Sequence, residues 1–186
     1  MTTLKPTQDA TRPIILTGMM GAGKSHVGRL VAKRLGRRFV DLDREIQRKA
    51  GRSIKQIFAR EGEAAFRELE RQTFAKVIAG SNRVVATGGG ALIDDATRAL
   101  ALSQGVVIYL RAATSTLAER LSRTNKRPLL QNASSDEERE AIVTRILDAR
   151  SAAYEEAHAI IDVDDLTPDL VAYCVAEAFH RLGQAE

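Results

Sequence analysis

The sequence predicts an α/β protein in which helices cover both faces of a parallel β-sheet. Five short apolar segments alternate along the chain with segments of helical periodicity, the pattern typical of parallel sheets. Three of these apolar segments run directly into glycines or aspartates, at residues 18–25, 41–43 and 88–90. Because ligands bind beyond the carboxyl ends of parallel strands, we expect these three segments to meet at one crevice.

The composition favours a single globular domain. The chain has 186 residues, of which 44% are hydrophobic and 28% are charged. We expect residues 1–12 to form a flexible tail and residues 13–186 to form one domain. The formal charge of +4 is accompanied by only 4% aromatic residues and by no basic tail, which argues against a nucleic-acid partner.

Other features indicate a cytoplasmic protein that does not contact membranes. No apolar stretch approaches the ~20 residues that span a bilayer, and the N-terminus lacks the apolar core of a secretory signal. The single cysteine, Cys174, has no partner for an internal disulfide, which is typical of a reducing compartment.

The first half of the chain contains the signals of two strands and four helices. Residues 13–18 form an apolar run that ends in glycine and predicts the first strand. Residues 24–35 carry apolar side chains at helical spacing and predict the first helix. Residues 38–43, with the sequence RFVDLD, predict the second strand. Helical patterns then follow at about residues 44–50, 53–60 and 63–79.

The middle of the chain predicts two further strands. Residues 83–90, RVVATGGG, predict a buried strand that runs into three glycines. A helix near residues 94–103 leads to the fourth strand at 105–110. Thr114 is a candidate N-cap for a helix over residues 115–123.

The last third predicts one strand between two helices. Residues 124–135 have no clean periodicity, a long helix covers about 136–157, and residues 159–163 predict the fifth strand. Thr167 caps a final helix that has Pro168 at its first position. On this helix an apolar stripe faces the core, which favours a packing role for Cys174 over a catalytic one; the stripe comprises Leu170, Val171, Cys174, Val175 and Phe179.

The segment GMMGAGKS, residues 18–25, fits the phosphate-binding pattern G-x-x-x-x-G-K-[ST] and lies between a predicted strand and a predicted helix. Glycines let backbone N–H groups turn toward the phosphates, and the N-terminus of the helix adds partial positive charge. Lys24 can reach the outer phosphates, and the Ser25 hydroxyl can ligate Mg²⁺. The alternative, a merely flexible turn, does not account for the lysine and serine.

The segment DLD, residues 41–43, supplies a carboxylate that the third strand lacks. Many proteins with this loop hold Mg²⁺ with an aspartate at the end of a later apolar strand, but here that strand ends in Ala86 and Thr87. In an extended segment Asp41 and Asp43 point the same way. We assign Asp41 to magnesium and Asp43 to a substrate hydroxyl, as acceptor and potential base. Alternatively the aspartates form a turn in which Asp43 caps the next helix.

Two further motifs suggest a site for a second substrate. Arg67 and Glu70 lie at i,i+3 on one predicted helix face, where an exposed ion pair is the alternative explanation. Three consecutive glycines after a strand indicate the close approach of a ligand or of another backbone. Arg150 and Tyr154 lie one helical turn apart, and Arg150 is placed to face the crevice.

Taken together, these motifs resemble the shikimate kinase family. GMMGAGKS, DLD, FRELE, TGGG, RPLL and R-x-x-x-Y occur in the family's order and spacing over about residues 13–182. The resemblance implies a three-layer P-loop kinase fold with sheet order 2-3-1-4-5 and a mobile lid at about residues 122–137. It also implies Mg²⁺-dependent transfer of a phosphoryl group from ATP to the 3-hydroxyl of shikimate by a monomer, in aromatic amino acid biosynthesis.

The resemblance also assigns roles to individual residues. The implied catalytic residues are Lys24, Asp43 and Arg127, of which Arg127 belongs to the lid. The implied shikimate-binding residues are Asp43, Arg67, Gly88, Gly89, Gly90 and Arg150. The implied ATP-binding residues are Gly21, Ala22, Gly23, Lys24, Ser25, His26, Arg123, Arg127 and Pro168. Ser25 and Asp41 are the implied magnesium ligands. The alternatives are a gluconate or nucleotide kinase, a non-catalytic module with the same loop, and a nucleic-acid-binding ATPase.

Overall fold

The computed structural model of the protein describes residues 11–122 and 135–184. Within these residues five parallel strands form one sheet in the order β2-β3-β1-β4-β5, so the expected topology is confirmed. The strands are β1 (Ile14–Thr17), β2 (Arg38–Asp41), β3 (Arg83–Ala86), β4 (Val106–Arg111) and β5 (Ala159–Asp162).

Strand β1 lies at the centre of the sheet and is buried on both faces. Ile14 pairs with Val84 of β3 on one side and with Val106 of β4 on the other. Successive side chains of β1 enter different cores, because Ile14 and Leu16 belong to one apolar cluster and Ile15 belongs to a second. The central strand therefore joins the two cores.

Seven helices in the described ranges cover the two faces and give the expected three layers. The first core includes apolar side chains of α1, α5, α6 and α7, and the second includes those of α2, α3 and α4. The bounds are α1 (Lys24–Leu35), α2 (Leu42–Ala50), α3 (Ile54–Ile78), α4 (Asp95–Gln104), α5 (Thr114–Ser122), α6 (Asp136–Glu155) and α7 (Pro168–Leu182). None of these helices combines the length and apolar character needed to cross a membrane.

The DLD segment is not extended as the sequence analysis assumed. Asp41 is the last residue of β2 and also the N-cap of α2, where its side chain accepts the N–H of Arg44. The helix therefore begins at Leu42, and Asp43 lies in its first turn. The prediction that strand alternation makes Asp41 and Asp43 point the same way was therefore wrong. The alternative in which Asp43 is the N-cap was also wrong, because the N-cap is Asp41, two residues earlier.

The other helix boundaries show which local signals were reliable. Helix α3 contains one non-helical residue, Gly62, which separates the two helical patterns predicted from the sequence. Thr167 caps α7 by accepting the N–H of Leu170, as predicted. The predicted Thr114 cap was wrong, since Thr114 is already helical and the carbonyl of Ala113 accepts the N–H of Leu117.

The predicted apolar stripe on α7 is buried only in part. Val171, Val175 and Phe179 belong to the core, and Cys174 is half-buried against it. Leu170 is 46% exposed, so its inclusion was wrong. Residues spaced by four fall on one helix face, and Leu170 lies about 100° away from the face that contains Val171, Val175 and Phe179.

Gly28 allows α1 to approach β2 closely. A Cβ atom at Gly28 would lie 2.6 Å from Cε2 of Phe39, a residue of β2 that packs against the first core. An alanine in a helix interior normally stabilises by about 0.5–1 kcal/mol relative to glycine. Here the aromatic ring occupies the space that the methyl group needs, so the normal preference is reversed.

We therefore predict that Gly28→Ala lowers the free energy of unfolding by about 1–3 kcal/mol, the usual cost of overpacking. Urea unfolding followed by circular dichroism measures this change. In a Phe39→Leu background the smaller side chain leaves room, so the same substitution is expected to cost less. A higher unfolding free energy for Gly28→Ala in the native background would contradict the close approach.

Candidate active site

The phosphate-loop motif connects β1 to α1, as the sequence predicts. Gly18 has a φ of +131°, and a Cβ there would lie 2.6 Å from the carbonyl oxygen of Leu110 in β4. Gly23 is the left-handed N-cap of α1, with a φ of +90°. Both positions need glycine for a local reason, the first for space and the second for backbone conformation.

Lys24 is the first residue of α1 and is buried, with 8% of its surface exposed. Its Nζ donates to the carbonyl oxygens of Gly18 at 2.6 Å and Met19 at 2.9 Å. The ammonium group therefore lies inside the curve of the loop. This places a positive charge beside the N-terminus of α1, where anions are already favoured.

A cavity of about 400 Å³ opens beside this loop, and we call it the phosphate-loop cavity. It is lined by the loop, by the aspartates that follow β2 and by the first residues after β3. Its lining residues include Gly21, Gly23, Lys24, Ser25, His26, Asp41, Asp43, Thr87, Gly88, Gly89 and Arg120. The predicted convergence of three strand ends on one crevice is therefore present in the structure.

Ser25 and Asp41 are in direct contact at the floor of this cavity. The Ser25 Oγ donates to Oδ2 of Asp41 at 2.6 Å, and Oδ1 of Asp41 accepts the N–H of Arg44 at 3.2 Å. A hydroxyl and a carboxylate oxygen are hard ligands of the kind that Mg²⁺ uses together with phosphates and water. Among the described residues no cluster of three or more His, Cys, Asp or Glu side chains could hold a metal alone.

Asp43 and Glu70 meet at Gly88. A Cβ at Gly88 would lie 2.8 Å from Oδ1 of Asp43 and 3.2 Å from Oε1 of Glu70. Glu70 has only 4% of its surface exposed. Burial raises the pKa of the Glu70 carboxyl, Arg67 opposes this rise and Asp43 adds to it. The Asp43 and Glu70 carboxyl groups therefore lie next to each other where the phosphate-loop cavity meets residues 88–90, which we call the glycine segment.

Arg67 lies between two glutamates of α3. It donates to Glu70 Oε2 at 2.8 Å and to Glu63 Oε1 at 3.0 Å. A Cβ at Gly90 would lie 2.9 Å from Nη1 of Arg67, so the glycine backbone passes directly against the guanidinium. Because Glu70 is buried, this pair is not the exposed surface pair that the sequence left as an alternative.

Arg150 and Tyr154 bind the same backbone oxygen from one turn of α6. Nη1 of Arg150 donates to the carbonyl of Gly89 at 3.1 Å, and the Tyr154 hydroxyl donates to it as well. The R-x-x-x-Y motif therefore holds the TGGG motif. Helix α6 reaches the site through these two side chains.

A second cavity of about 540 Å³ lies on the other side of the glycine segment, and we call it the arginine cavity. Two of the predicted substrate arginines, Arg67 and Arg150, line it. The remaining lining includes Glu63, Glu68, Glu70, Arg71, Gly90, Asp94 and Thr97. Gly88 and Gly89 line the first cavity and Gly90 lines the second, so residues 88–90 separate the two.

Two of the predicted site residues that the structure describes line neither cavity. Ala22 is buried within the loop, and Pro168 is exposed at the start of α7. Arg123 and Arg127 lie outside the described residues, as does the predicted lid except for its two ends.

Sequence reasoning missed Arg120, which lines the phosphate-loop cavity. Its Nη1 lies 3.5 Å from the carbonyl oxygen of Gly21, and its Nη2 lies 3.5 Å from that of Val163. No pattern in the sequence indicated this position, because the proximity of this helix to Gly21 is visible only in the fold.

The fold alone is shared with a solved structure of low sequence identity. A gluconokinase from Sinorhizobium meliloti superposes with a TM-score of 0.61 over 93% of this chain and 94% of its own, at 17% sequence identity. At this identity the likeness concerns the architecture and does not extend to the substrate.

Other relatives are similar in sequence as well as in fold. A shikimate kinase from Salinibacter ruber is 46% identical over 168 residues, which cover 87% of this chain and 82% of the relative. A structure of "Shikimate kinase from Acinetobacter baumannii in complex with shikimate" superposes with a TM-score of 0.86 at 34% identity, covering 94% of this chain and 96% of that one. The family model for shikimate kinase matches residues 20–180. The chain therefore belongs to the shikimate kinase family.

Proposed function

We propose that the protein transfers the γ-phosphoryl group of ATP to the 3-hydroxyl of shikimate and releases ADP and shikimate 3-phosphate. The observation that supports this most strongly is the position of residues 88–90 between two cavities, one beside a phosphate loop and one lined by Arg67 and Arg150 among its arginines. This arrangement suits a reaction between an anionic nucleotide and a separate anionic acceptor. The product serves aromatic amino acid biosynthesis.

The phosphate-loop cavity binds ATP in this proposal. Backbone N–H groups at the start of α1 face the phosphates, and Lys24 exchanges its two loop carbonyls for phosphate oxygens. Gly21, Ala22, Gly23, Ser25 and His26 form the rest of the nucleotide site. Arg120 adds a second cation on the opposite wall of the same cavity. This fixed positive charge stabilises the negative charge that is redistributed as the phosphoryl group moves.

Mg²⁺ fits the Ser25–Asp41 pair, and when bound it would neutralise charge on the outer phosphates. Asp41 is held in place by the N–H of Arg44, so its carboxylate is oriented before the ion binds. The Ser25 hydroxyl is oriented in turn by its hydrogen bond to Asp41. The two oxygens are therefore preorganised for a small divalent cation.

Asp43 receives the acceptor hydroxyl in this proposal. It lines the phosphate-loop cavity and touches the glycine segment that borders the arginine cavity. A carboxylate at that position can orient the hydroxyl and accept its proton as the phosphoryl group is transferred. Burial raises the pKa of neighbouring Glu70 and its ion pair with Arg67 opposes this rise, so Arg67 offsets the negative charge that lies beside Asp43.

Arg67 and Arg150 bind the carboxylate of shikimate in this proposal. Both line the arginine cavity, and each already contacts the glycine segment through its guanidinium. Planar guanidinium groups bind a carboxylate with paired hydrogen bonds, which gives geometry as well as charge. The carboxylate then fixes how far the acceptor hydroxyl reaches toward the phosphates.

Several features of the proposal come from the family motifs. Arg127 would complete the charge around the transferred group, while Arg123 and Pro168 would flank the adenine. A lid at about residues 122–137 would exclude water that competes for the γ-phosphate. We also propose that the protein is a cytoplasmic monomer.

Release of ADP in the presence of different acceptors tests the proposed function. With ATP and Mg²⁺ we expect rapid release with shikimate and only background release with gluconate, AMP or no acceptor. Shikimate, gluconate and AMP are all anions with hydroxyl groups, so the preference for shikimate is expected from membership of the shikimate kinase family. Equal rates with gluconate would favour the alternative of a gluconate kinase, and no release with any acceptor would favour a non-catalytic module.

Substitutions of Asp43 and Asp41 are expected to change different kinetic properties. Asp43→Asn keeps the shape and removes the base, so kcat is expected to fall by ~10²–10⁴-fold while ATP binding is retained. Asp41→Asn is expected to raise the Mg²⁺ concentration needed for half-maximal activity, because a ligand charge is lost. Steady-state kinetics at varied Mg²⁺ and nucleotide titration separate the two. A raised Mg²⁺ requirement in Asp43→Asn, with kcat unchanged, would show that the roles are reversed.

Arg67→Lys is expected to weaken the use of shikimate selectively. Removing one partner of a desolvated ion pair costs about 2–5 kcal/mol. At ~1.4 kcal/mol per decade, kcat/KM for shikimate should fall by roughly thirtyfold or more. The KM for ATP should change little, because Arg67 lines the arginine cavity. Arg60→Lys, an exposed arginine on the same helix, is the matched control.

Shikimate methyl ester tests the same contact without a mutation. The ester keeps every hydroxyl and loses the anion, so the unmodified protein should use it poorly. The Arg67→Lys variant should discriminate less between acid and ester, since part of the carboxylate site is already lost. Similar kcat/KM values for acid and ester with the unmodified protein would show that the arginines do not bind a carboxylate.

A further inference from the structure

Tyr154 contacts the substrate-site backbone without lining either cavity. It lies on α6 with 1% of its surface exposed. Its hydroxyl donates to the carbonyl oxygen of Gly89, and its ring packs against Tyr109 with 5.1 Å between the ring centroids. Burial raises the pKa of the Tyr154 phenol, so the group stays protonated and remains a donor.

The backbone of Gly89 also lies close to the start of the phosphate loop. A Cβ at Gly89 would lie 3.3 Å from the backbone nitrogen of Met20 and 3.6 Å from the carbonyl oxygen of Gly18. Gly89 is therefore in contact with the Tyr154 hydroxyl and close to the loop that holds Lys24. A shift of Gly89 toward or away from the loop would change the separation of the two cavities.

The second donor to this carbonyl has another task in the proposed function. Arg150 bonds the Gly89 oxygen at 3.1 Å, and the same guanidinium is assigned to the substrate carboxylate. A carbonyl oxygen has two lone pairs and accepts from both side chains. When Arg150 turns toward a carboxylate, the Tyr154 hydroxyl keeps the carbonyl bonded. The tyrosine therefore holds the segment while the arginine binds substrate.

We propose that Tyr154 is a positioning residue that fixes the glycine segment against the phosphate loop and thereby sets the distance between donor and acceptor. The kinetic part of this inference rests on the proposed function. Tyr154 touches neither substrate. Its effect on the reaction passes through the backbone of Gly89.

Tyr154→Phe tests the proposal, because it keeps the buried ring and removes the hydroxyl that donates to Gly89 and also contacts Arg150. We expect kcat/KM for shikimate to fall by about tenfold, equivalent to ~1.4 kcal/mol or one hydrogen bond, with the KM for ATP within about twofold of the unmodified value. Tyr109→Phe is the matched control, since it removes a hydroxyl from the neighbouring buried ring and leaves both bonds to Gly89 in place. Its kinetic constants should be close to those of the unmodified protein.

Amide hydrogen exchange supplies a second measurement that does not require turnover. The N–H of Ala91 donates to the carbonyl of Gly88 across the glycine segment. In Tyr154→Phe this amide should exchange faster, whereas in Tyr109→Phe it should not. Equal exchange and equal shikimate kinetics in the two variants would overturn the proposal. A rise in the KM for both substrates that follows the loss of thermal stability would also overturn it.

Different results would contradict the proposed function and the positioning role of Tyr154. Absence of shikimate phosphorylation by the unmodified protein contradicts the proposed function, while the exchange comparison still decides whether Tyr154 holds the segment. Normal phosphorylation by the unmodified protein and by Tyr154→Phe alike contradicts the positioning role only.

Discussion

The arrangement of the site depends on how closely the backbone of residues 88–90 approaches charged side chains. A Cβ on Gly88 would collide with Asp43, and one on Gly90 would collide with Arg67. With side chains at these two positions, either the segment or the Asp43 and Arg67 side chains would have to leave their present places. Gly88 and Gly90 therefore preserve the placement of Asp43 and Arg67, and they let one short segment border both sites.

The close packing around this segment also brings charged side chains of the site into contact with hydrogen-bond partners. Two buried charges of the site have such partners: Lys24 donates to two loop carbonyls, and Glu70 accepts from Arg67. Buried charges without such partners would be costly. These partners hold the side chains in place before substrate arrives, so substrate anions replace contacts that already exist. Such preorganisation suits phosphoryl transfer, in which positioning and charge do most of the catalysis.

Local signals predicted the parts of this structure that depend on neighbouring residues in the sequence. The phosphate loop, the Thr167 cap and the interruption at Gly62 follow from glycine, threonine and their spacing. The sheet order followed from resemblance to a family, since strand periodicity alone does not determine which strands pair.

The remaining features depend on contacts between distant segments. Glu70 is buried where α2 and the glycine segment pack against α3, and no pattern within FRELE shows this. Asp41 acts as a cap as well as a partner of Ser25, so the strand ends earlier than its apolar pattern suggested. Arg150 and Tyr154 both donate to the carbonyl of Gly89, from which they are separated by 61 and 65 positions in the sequence. This contact is visible only in the fold.

The most direct test of the central claim is to map both ligands on the backbone glycines. The chain has 13 glycines, so a ¹⁵N-glycine-labelled sample gives a sparse amide spectrum. We expect a non-hydrolysable ATP analogue with Mg²⁺ to shift Gly21 and Gly23, shikimate to shift Gly90, and either ligand to shift Gly88 and Gly89. Shifts of Gly21 and Gly23 by shikimate with Gly90 unchanged, or identical shifts with both ligands, would contradict two sites that meet at the glycine segment.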